Sequence, residues 1–243
     1  MMAIILVAGV GRRLRGQTNE PKCLLSIGGR SLIHRYLDIL AEPDSGVAKV
    51  GMVVGYKGDL IVSHVQEHAF GGAVAYATNP DYEKGSALSL LTAYENFEID
   101  GDMMLMDGDV YFEPDVLHRL LASANANSML VDPSSVNTGE EIMMGVIDER
   151  VAAVGRGMEG AFDVHGEWIG FMKTDTDGTR EFLSAVNRLV QEQGDGVGYE
   201  DAIQGVCAAV AMGYELVDDL RWTEIDTPED VAKAVSLAEQ ASD

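Results

Sequence analysis

From residue 3 to residue 132 the chain alternates short apolar runs with amphipathic stretches of helical period, and this alternation limits the available folds more than any other feature. Strands are predicted at "AIILVAG" (3–9), "KVGMVVG" (49–55), "GAVAYAT" (72–78), "DMMLMDGD" (102–109) and "NSMLVD" (127–132). Between them, helices are predicted over 31–41, 59–68, 86–97 and 113–124. The first has apolar residues at 32, 33, 36, 37 and 40, with Ser31 placed to cap it. The last carries Pro114 in its first turn, where a missing N–H costs least. Parallel strands joined by crossover helices bury both faces of the sheet, so the expectation is an α/β fold of three layers, α/β/α, around a mixed, mostly parallel sheet. Ligands of such sheets bind beyond the carboxyl ends of the strands. Three of those ends are glycine-rich or polar: Gly9–Gly11, the region from Asn79 to Ser86, and Asp107–Asp109.

The second half is less regular. A hairpin is predicted over 141–155, a strand over 167–174, and helices over 178–193 and about 199–211. The chain closes with a strand at 222–225 and a helix over 226–241, with Thr227 as N-cap and Pro228 behind it. No internal repeat, low-complexity segment or dividing linker interrupts the chain, so a single domain over 1–243 is expected.

With 243 residues, 47% of them hydrophobic, the chain can bury a sizeable core. Its net charge of −23 argues against nucleic acid or an anionic membrane as partner, since both would be repelled over most of the surface. The apolar run Met2 to Val10 is too short for a membrane span and lacks the flanks of a signal peptide, so a cytoplasmic location is expected. Cys23 and Cys207 lack metal-type spacing and read as buried, reduced thiols. His64 and His68 are four apart but without further ligands.

Against this acidic background, four of the 17 cationic residues, Arg12, Arg13, Arg15 and Lys22, fall within "GVGRRLRGQTNEPK", directly after the first strand. Glycines there let the backbone approach a phosphate, and the cations would neutralise it. The spacing matches neither the dinucleotide fingerprint nor a P-loop, and a solvated strand-to-loop turn remains the alternative. In "MDGDV" two aspartates end an apolar run. They suit a hard divalent cation, or equally an Asx-stabilised turn. Asp226 ends a strand and precedes a capped helix, which it could simply cap.

Taken together and in order, "LVAGVGRRL…PKCLLSIGGRSLIHRYLDIL", "VVGY" (53–56), "GSALSL" (85–90), "MDGDV" (106–110) and "EIDTPEDV" (224–231) resemble the signature of the nucleotidyltransferases that act on sugar-1-phosphates and phospho-alcohols. The resemblance covers nearly the whole chain. It implies a Rossmann-like, nucleotide-diphospho-sugar-transferase type of sheet, with a nucleotide-binding half over about 1–130 and an acceptor-binding half over about 131–243. It implies that Ala8, Gly9 and Gly11 approach the nucleotide through their backbone. Arg12 and Arg13 would hold the β- and γ-phosphates, and Gly85 and Ser86 would contact the base. Lys22 would stabilise the α-phosphate, so Lys22 and Arg13 are the catalytic candidates. Asp109 and Asp226 match the metal-binding positions, with Asp107 a further candidate, and the implied cofactor is Mg²⁺.

In that chemistry a phosphate oxygen of the acceptor attacks the α-phosphorus of a nucleoside triphosphate and pyrophosphate leaves. The nucleophile is already an anion, so positioning and charge neutralisation suffice and no base is needed. The second half resembles most the cytidylyltransferases of small phospho-alcohols, notably phosphocholine, with inositol-phosphate and phosphonate relatives. The matching pieces are "GEWIGF" (166–171), "GYEDAI" (198–203) and "RWTEIDTPEDV" (221–231). CTP and a phosphorylated small alcohol are thus the expected substrates, with a sugar-1-phosphate and UTP, dTTP or GTP as the alternative. Trp168, Tyr199 and Trp222 would offer aromatic faces to a quaternary ammonium, and Glu167, Glu200 and Asp201 counter-charge. Both tryptophans read equally as core residues.

Overall fold

The structure is a computed structural model that describes residues 1–14, 18–70 and 73–241. Arg15, one of the clustered cations, lies outside the described residues. In chain order the first half runs β1 (Met2–Val7), a small hairpin of β2 (Ser26–Ile27) and β3 (Arg30–Ser31), α1 (Leu32–Leu40), β4 (Lys49–Val54), α2 (Gly58–Gln66), β5 (Val74–Thr78) and α3 (Ser86–Asn96). Then come β6 (Met103–Asp107), β7 (Val110–Phe112), α4 (Pro114–Ala122), β8 (Ser128–Asp132), β9 (Ile142–Ile147), β10 (Arg150–Arg156) and β11 (Val164–Thr174). The chain ends with α5 (Thr176–Gln193), α6 (Ile203–Ala209), β12 (Gly213–Leu216), β13 (Trp222–Glu224) and α7 (Pro228–Gln240).

The heart of the fold is four parallel strands in the order β6-β1-β4-β5. Successive side chains of each strand point to opposite faces, and both faces are apolar. Along β1, Met2 and Ile4 enter one core layer, while Ala3, Ile5 and Val7 enter the other. Met103 and Leu105 of β6 likewise separate from Met104 and Met106. Helices α3, α5 and α6 close the first layer, and α1, α2 and α4 close the second. This is the expected mixed, mostly parallel three-layer arrangement.

Beyond β6 the sheet is mainly antiparallel, except that β12 runs parallel to β8. Strand β11 pairs through its first residues with β9 and through Phe171–Thr174 with β6, while β8 runs along it. Its register against β8 shifts between Trp168 and Met172, and Gly170 sits in that irregularity at φ +83°. A Cβ on Gly170 would lie 2.8 Å from Asp107 Oδ2, so only glycine lets β11 pass that close to the carboxylate.

Two short features decide where the polar residues go. Strand β13 pairs antiparallel with β7, setting Glu224 opposite Val110, and the Ile225 N–H donates to the Asp109 carbonyl at 2.9 Å. Asp109 and Asp226, more than a hundred residues apart in sequence, are thereby brought to one place. A third apolar cluster then holds α7 down: Leu14, Ile27, Leu32, Tyr111 and Ile225 pack against Ala234 and Ala238. Thr227 and Asp230 form a reciprocal capping box at the start of α7.

The predicted elements of the first half lie within a few residues of the observed ones. Strands β7 and β12 and the β2–β3 hairpin were not expected; each has four residues or fewer, too short for a period to register. The helix predicted over about 199–211 is α6 preceded by a 3-10 turn, Tyr199–Ala202, where the Tyr199 N–H is taken by Ser86 Oγ.

Gly108 links β6 to Asp109 against β1, where a Cβ would meet Val7 Cγ1 at 2.2 Å and the Leu6 carbonyl at 2.9 Å. Gly108→Ala is therefore expected to destabilise the fold by the overpacking cost of about 1–3 kcal/mol. Urea unfolding monitored by circular dichroism measures it.

Candidate active site

The carboxyl ends of β1 and β6 open into a cleft of about 1000 Å³, closed on the other side by the 132–142 loop and the start of α7. The first wall is built by the loop after β1. Pro21 starts a 3-10 turn over Lys22–Leu24, and the Lys22 stem packs over Gly11, 3.0 Å from where a Cβ would be. Gly11 has φ +62°, so glycine is required there twice over. Lys22 then reaches under the cleft, and its Nζ donates to Asp109 Oδ2 at 2.7 Å and Asp226 Oδ1 at 2.6 Å. Burial opposes its charge, but the two carboxylates outweigh burial and hold the ammonium protonated well above its usual range.

Arg13 donates to Asp226 as well and lies 3.6 Å from Glu140 across the cleft; Arg12 pairs with Glu83 at 2.9 Å. Ala8, Gly9, Gly11, Gly85 and Ser86 all line the cleft with these arginines. Gly85 has φ +112°, and a Cβ there would fall 2.4 Å from the Val197 carbonyl. Ser86 opens α3, accepts from Tyr199 N and donates to Glu200 Oε2, both at 3.0 Å.

Asp109, Glu224 and Asp226 present carboxylate oxygens within 4.8 Å of one another. Glu224 was not expected from the sequence, although the strand period puts it on the side of Asp226 in "WTEID". Loss of hydration raises its pKa, and the charges of Asp109 and Asp226 raise it further, to about 9. Glu224 keeps an open face to the cleft, so the carboxylate charges are the part of that shift that a cation would reverse. Three hard oxygen donors converging under mutual repulsion fit a divalent ion such as Mg²⁺ or Mn²⁺.

Asp107 does not join them. Gly108 turns the chain between the two aspartates, and Asp107 is instead bonded by the Tyr199 hydroxyl at 2.7 Å. Burial, then the Asp109 charge, pushes the Asp107 pKa well up. The turn itself is pinned from α1, by a residue whose role the sequence pattern does not mark. The buried Tyr36 hydroxyl donates toward the carbonyls of Asp107 (2.9 Å) and Val110 (2.7 Å) and accepts from Val110 N at 3.0 Å.

The acceptor candidates divide. Glu167 lines the cleft directly across the strands from Asp132, and burial raises its pKa. Trp222 also lines it but commits its indole N–H to Asp132 Oδ2 at 2.8 Å. Trp168 and Tyr199 form its floor with 5% and 2% of their surface exposed, packed edge to face, so they offer little ring face to a ligand. Glu200 faces the cleft beside Arg156, whereas Asp201 is exposed and does not line it. Ser134, Ser135, Glu140, Glu141, Arg156 and Lys233, none of them expected from the sequence, form the far wall. The first four lie on the loop between β8 and β9, Arg156 ends β10, and Lys233 is on a flank of α7, places where no period marks a function. His64 and His68 do meet, around His34, away from the cleft, but Ser31 and Asp38 hold their Nε2 atoms.

A cationic loop faces converging carboxylates at the ends of parallel strands, an arrangement chemically suited to a polyphosphate and a divalent ion. Residues 3–226 match the model of the MobA-like NTP transferase domain. The chain belongs to this family. The "Bifunctional IPC transferase and DIPP synthase" of Thermococcus kodakarensis is 27% identical over 96% of this chain and 49% of its own length. The "CMP-5'-(3-aminopropyl)phosphonate synthase" of Streptomyces rubellomurinus is 30% identical over 96% of this chain and 38% of its own. The chain thus spans half or less of the length of these curated relatives. In fold it is similar to the inositol-1-phosphate CTP transferase from T. maritima, with a TM-score of 0.73 over 100% of this chain and 96% of that one, at 20% identity. NTP transferases of this family generally use a divalent metal ion, which the Asp109–Glu224–Asp226 group is chemically suited to hold. Among the described residues no helix is long and apolar enough to cross a membrane.

A cation at this group must displace the Glu224 proton, so its binding is expected to tighten with pH. Mn²⁺ titrations of the nucleotide-free protein, read by electron paramagnetic resonance, should show affinity rising from about pH 6 to about pH 8.5. Glu224→Gln should bind more weakly and lose most of that pH dependence.

Proposed function

We propose that this protein transfers CMP from CTP to a small phospho-alcohol or phosphonate, with Mg²⁺, and releases pyrophosphate. The observation that carries the reading is the joining of Lys22, Asp109 and Asp226 at the mouth of the β1 loop. One cation and two carboxylates meet there at the carboxyl ends of the strands, beside a glycine-rich loop with two further arginines. The curated relatives support the acceptor class, since one of them is named for a CMP-phosphonate product.

The backbone of Ala8, Gly9 and Gly11 lies against the nucleotide, and Gly85 and Ser86 face its base. Arg12 and Arg13 exchange Glu83 and Asp226 for the β- and γ-phosphates, the part that leaves. Lys22 neutralises charge on the α-phosphate as it gains a fifth oxygen. An oxygen of the acceptor phosphate bonds to the α-phosphorus, the bond from that phosphorus to the bridging oxygen breaks, and pyrophosphate departs with the electron pair. Asp109, Asp226 and Glu224 would hold the Mg²⁺ ion, which would supply Lewis-acid neutralisation of phosphate oxygens. No proton needs removal, because the attacking phosphate oxygen is already an anion. With Trp168 and Tyr199 buried, Glu167, Glu200 and the serines of the 132–142 loop are among the groups left to read the rest of the acceptor.

The test is pyrophosphate release from purified protein with Mg²⁺, offering CTP, UTP, dTTP or GTP against phosphocholine, 2-aminoethylphosphonate, inositol-1-phosphate and glucose-1-phosphate. Turnover is expected with CTP and one of the first three acceptors. Turnover with a sugar phosphate alone contradicts the reading. With the productive pair, Lys22→Ala should lower kcat by roughly 10²–10³, the loss of one preorganised stabilising donor. An effect below about tenfold would remove Lys22 from that role.

A further inference from the structure

The cleft carries far more acid than base. Its lining includes four cations, Arg12, Arg13, Arg156 and Lys233, with Lys22 beneath. Three of the four are engaged. Arg12 is held by Glu83 and Arg13 by Asp226; Arg156 donates to the Glu140 carbonyl and lies 3.6 Å from Glu200. Lys233 is not: among the described residues no hydrogen bond or ion pair holds its ammonium. Glu229, four residues earlier on α7, is the usual helical partner of such a lysine, yet the two do not pair.

Its place is specific. Thr227, Asp230 and Lys233 recur at helical spacing, and all three line the cleft from one face of α7. Helical side chains lean toward the N-terminus of their helix, which here is the end at Asp226 and the reacting centre. The charge of Lys233 is felt by Glu167 of β11, across the acceptor half.

The reaction proposed above brings two anions together. The triphosphate takes Arg12, Arg13 and Lys22, so the acceptor phosphate enters an acidic cleft with none of those cations free for it. We propose that Lys233 binds the phosphate or phosphonate group of the acceptor and holds it for attack on the α-phosphorus. This inference rests on the nucleotidyl-transfer reading and adds the acceptor-binding cation to it. An ammonium to phosphate contact is a charge-assisted hydrogen bond, and its loss is a matter of acceptor affinity rather than nucleotide affinity.

The experiment is steady-state pyrophosphate release with saturating Mg²⁺, varying CTP and, separately, 2-aminoethylphosphonate, phosphocholine and inositol-1-phosphate. Lys233→Ala should raise the KM of the productive acceptor about tenfold or more while the KM of CTP stays within about twofold. Lys233→Arg should restore most of the acceptor KM, and Lys233→Glu should exceed the alanine effect. Added salt should raise the acceptor KM more in the wild type than in Lys233→Ala. If the wild type turns over and Lys233→Ala leaves the acceptor KM within about twofold, or shifts both KM values together, Lys233 loses this role and the transfer reading stands. If the wild type releases no pyrophosphate with any pair, the transfer reading falls and the Lys233 assignment falls with it.

Discussion

The structure turns on one ammonium group between two carboxylates. Lys22 comes from the loop after the first strand, Asp109 from the turn after β6, and Asp226 from the end of β13. Neither aspartate could stand so near the other without an intervening cation, and Lys22 supplies it. The constraint explains much of the surrounding backbone. Gly11 adopts a left-handed conformation under the lysine stem, and Gly108 lets the Asp109 turn press on β1. Tyr36 spends its buried hydroxyl on that same turn. The β7–β13 ladder exists as three residues on each side, enough to bring the last aspartate home. The same carboxylates are the natural ligands of a divalent ion. A divalent ion there would share its oxygens with the lysine.

Charge organises the rest of the cleft. A chain of net charge −23 places five of its 17 cations, Arg12, Arg13, Lys22, Arg156 and Lys233, at or under the cleft. Arg12 and Arg13 lie on the β1-loop side of the cleft, and Lys233 lines it from α7. A two-anion reaction needs this division, because a cation committed to the leaving pyrophosphate cannot also hold the nucleophile. The acidic surface lowers the affinity for adventitious polyanions, and within the equally acidic cleft the few cations are the only groups that favour a phosphate.

Much of this was legible in the sequence. The parallel sheet was, because strands buried on both faces and helices with one apolar face have distinct periods, and β1, β4, β6, α1 and α4 show them clearly. Lys22, Asp109 and Asp226 were legible by residue type at the ends of those strands, and the structure brings the three together. What escaped did so for physical reasons. Asp107 and Asp109, two apart, read as one pair of ligands; the Gly108 turn breaks the strand period and gives Asp107 to Tyr199. Glu224 alternates with Asp226, but a three-residue strand does not announce its facing. Trp168 and Tyr199 looked available as aromatic faces, and burial between β11 and α5 consumed them. Lys233 sits on a helix flank that is indistinguishable by pattern from any solvated face.

The central claim is that bond exchange occurs at the α-phosphorus, above Lys22. Phosphorus-31 magnetic resonance of CTP incubated with the protein, Mg²⁺ and a productive acceptor reads this directly. The account predicts pyrophosphate and a new diphosphate diester in equal amounts, with the acceptor phosphorus coupled to that of CMP. Formation of CDP with inorganic phosphate or a phosphorylated acceptor would place the cleavage at the γ-phosphorus and contradict it.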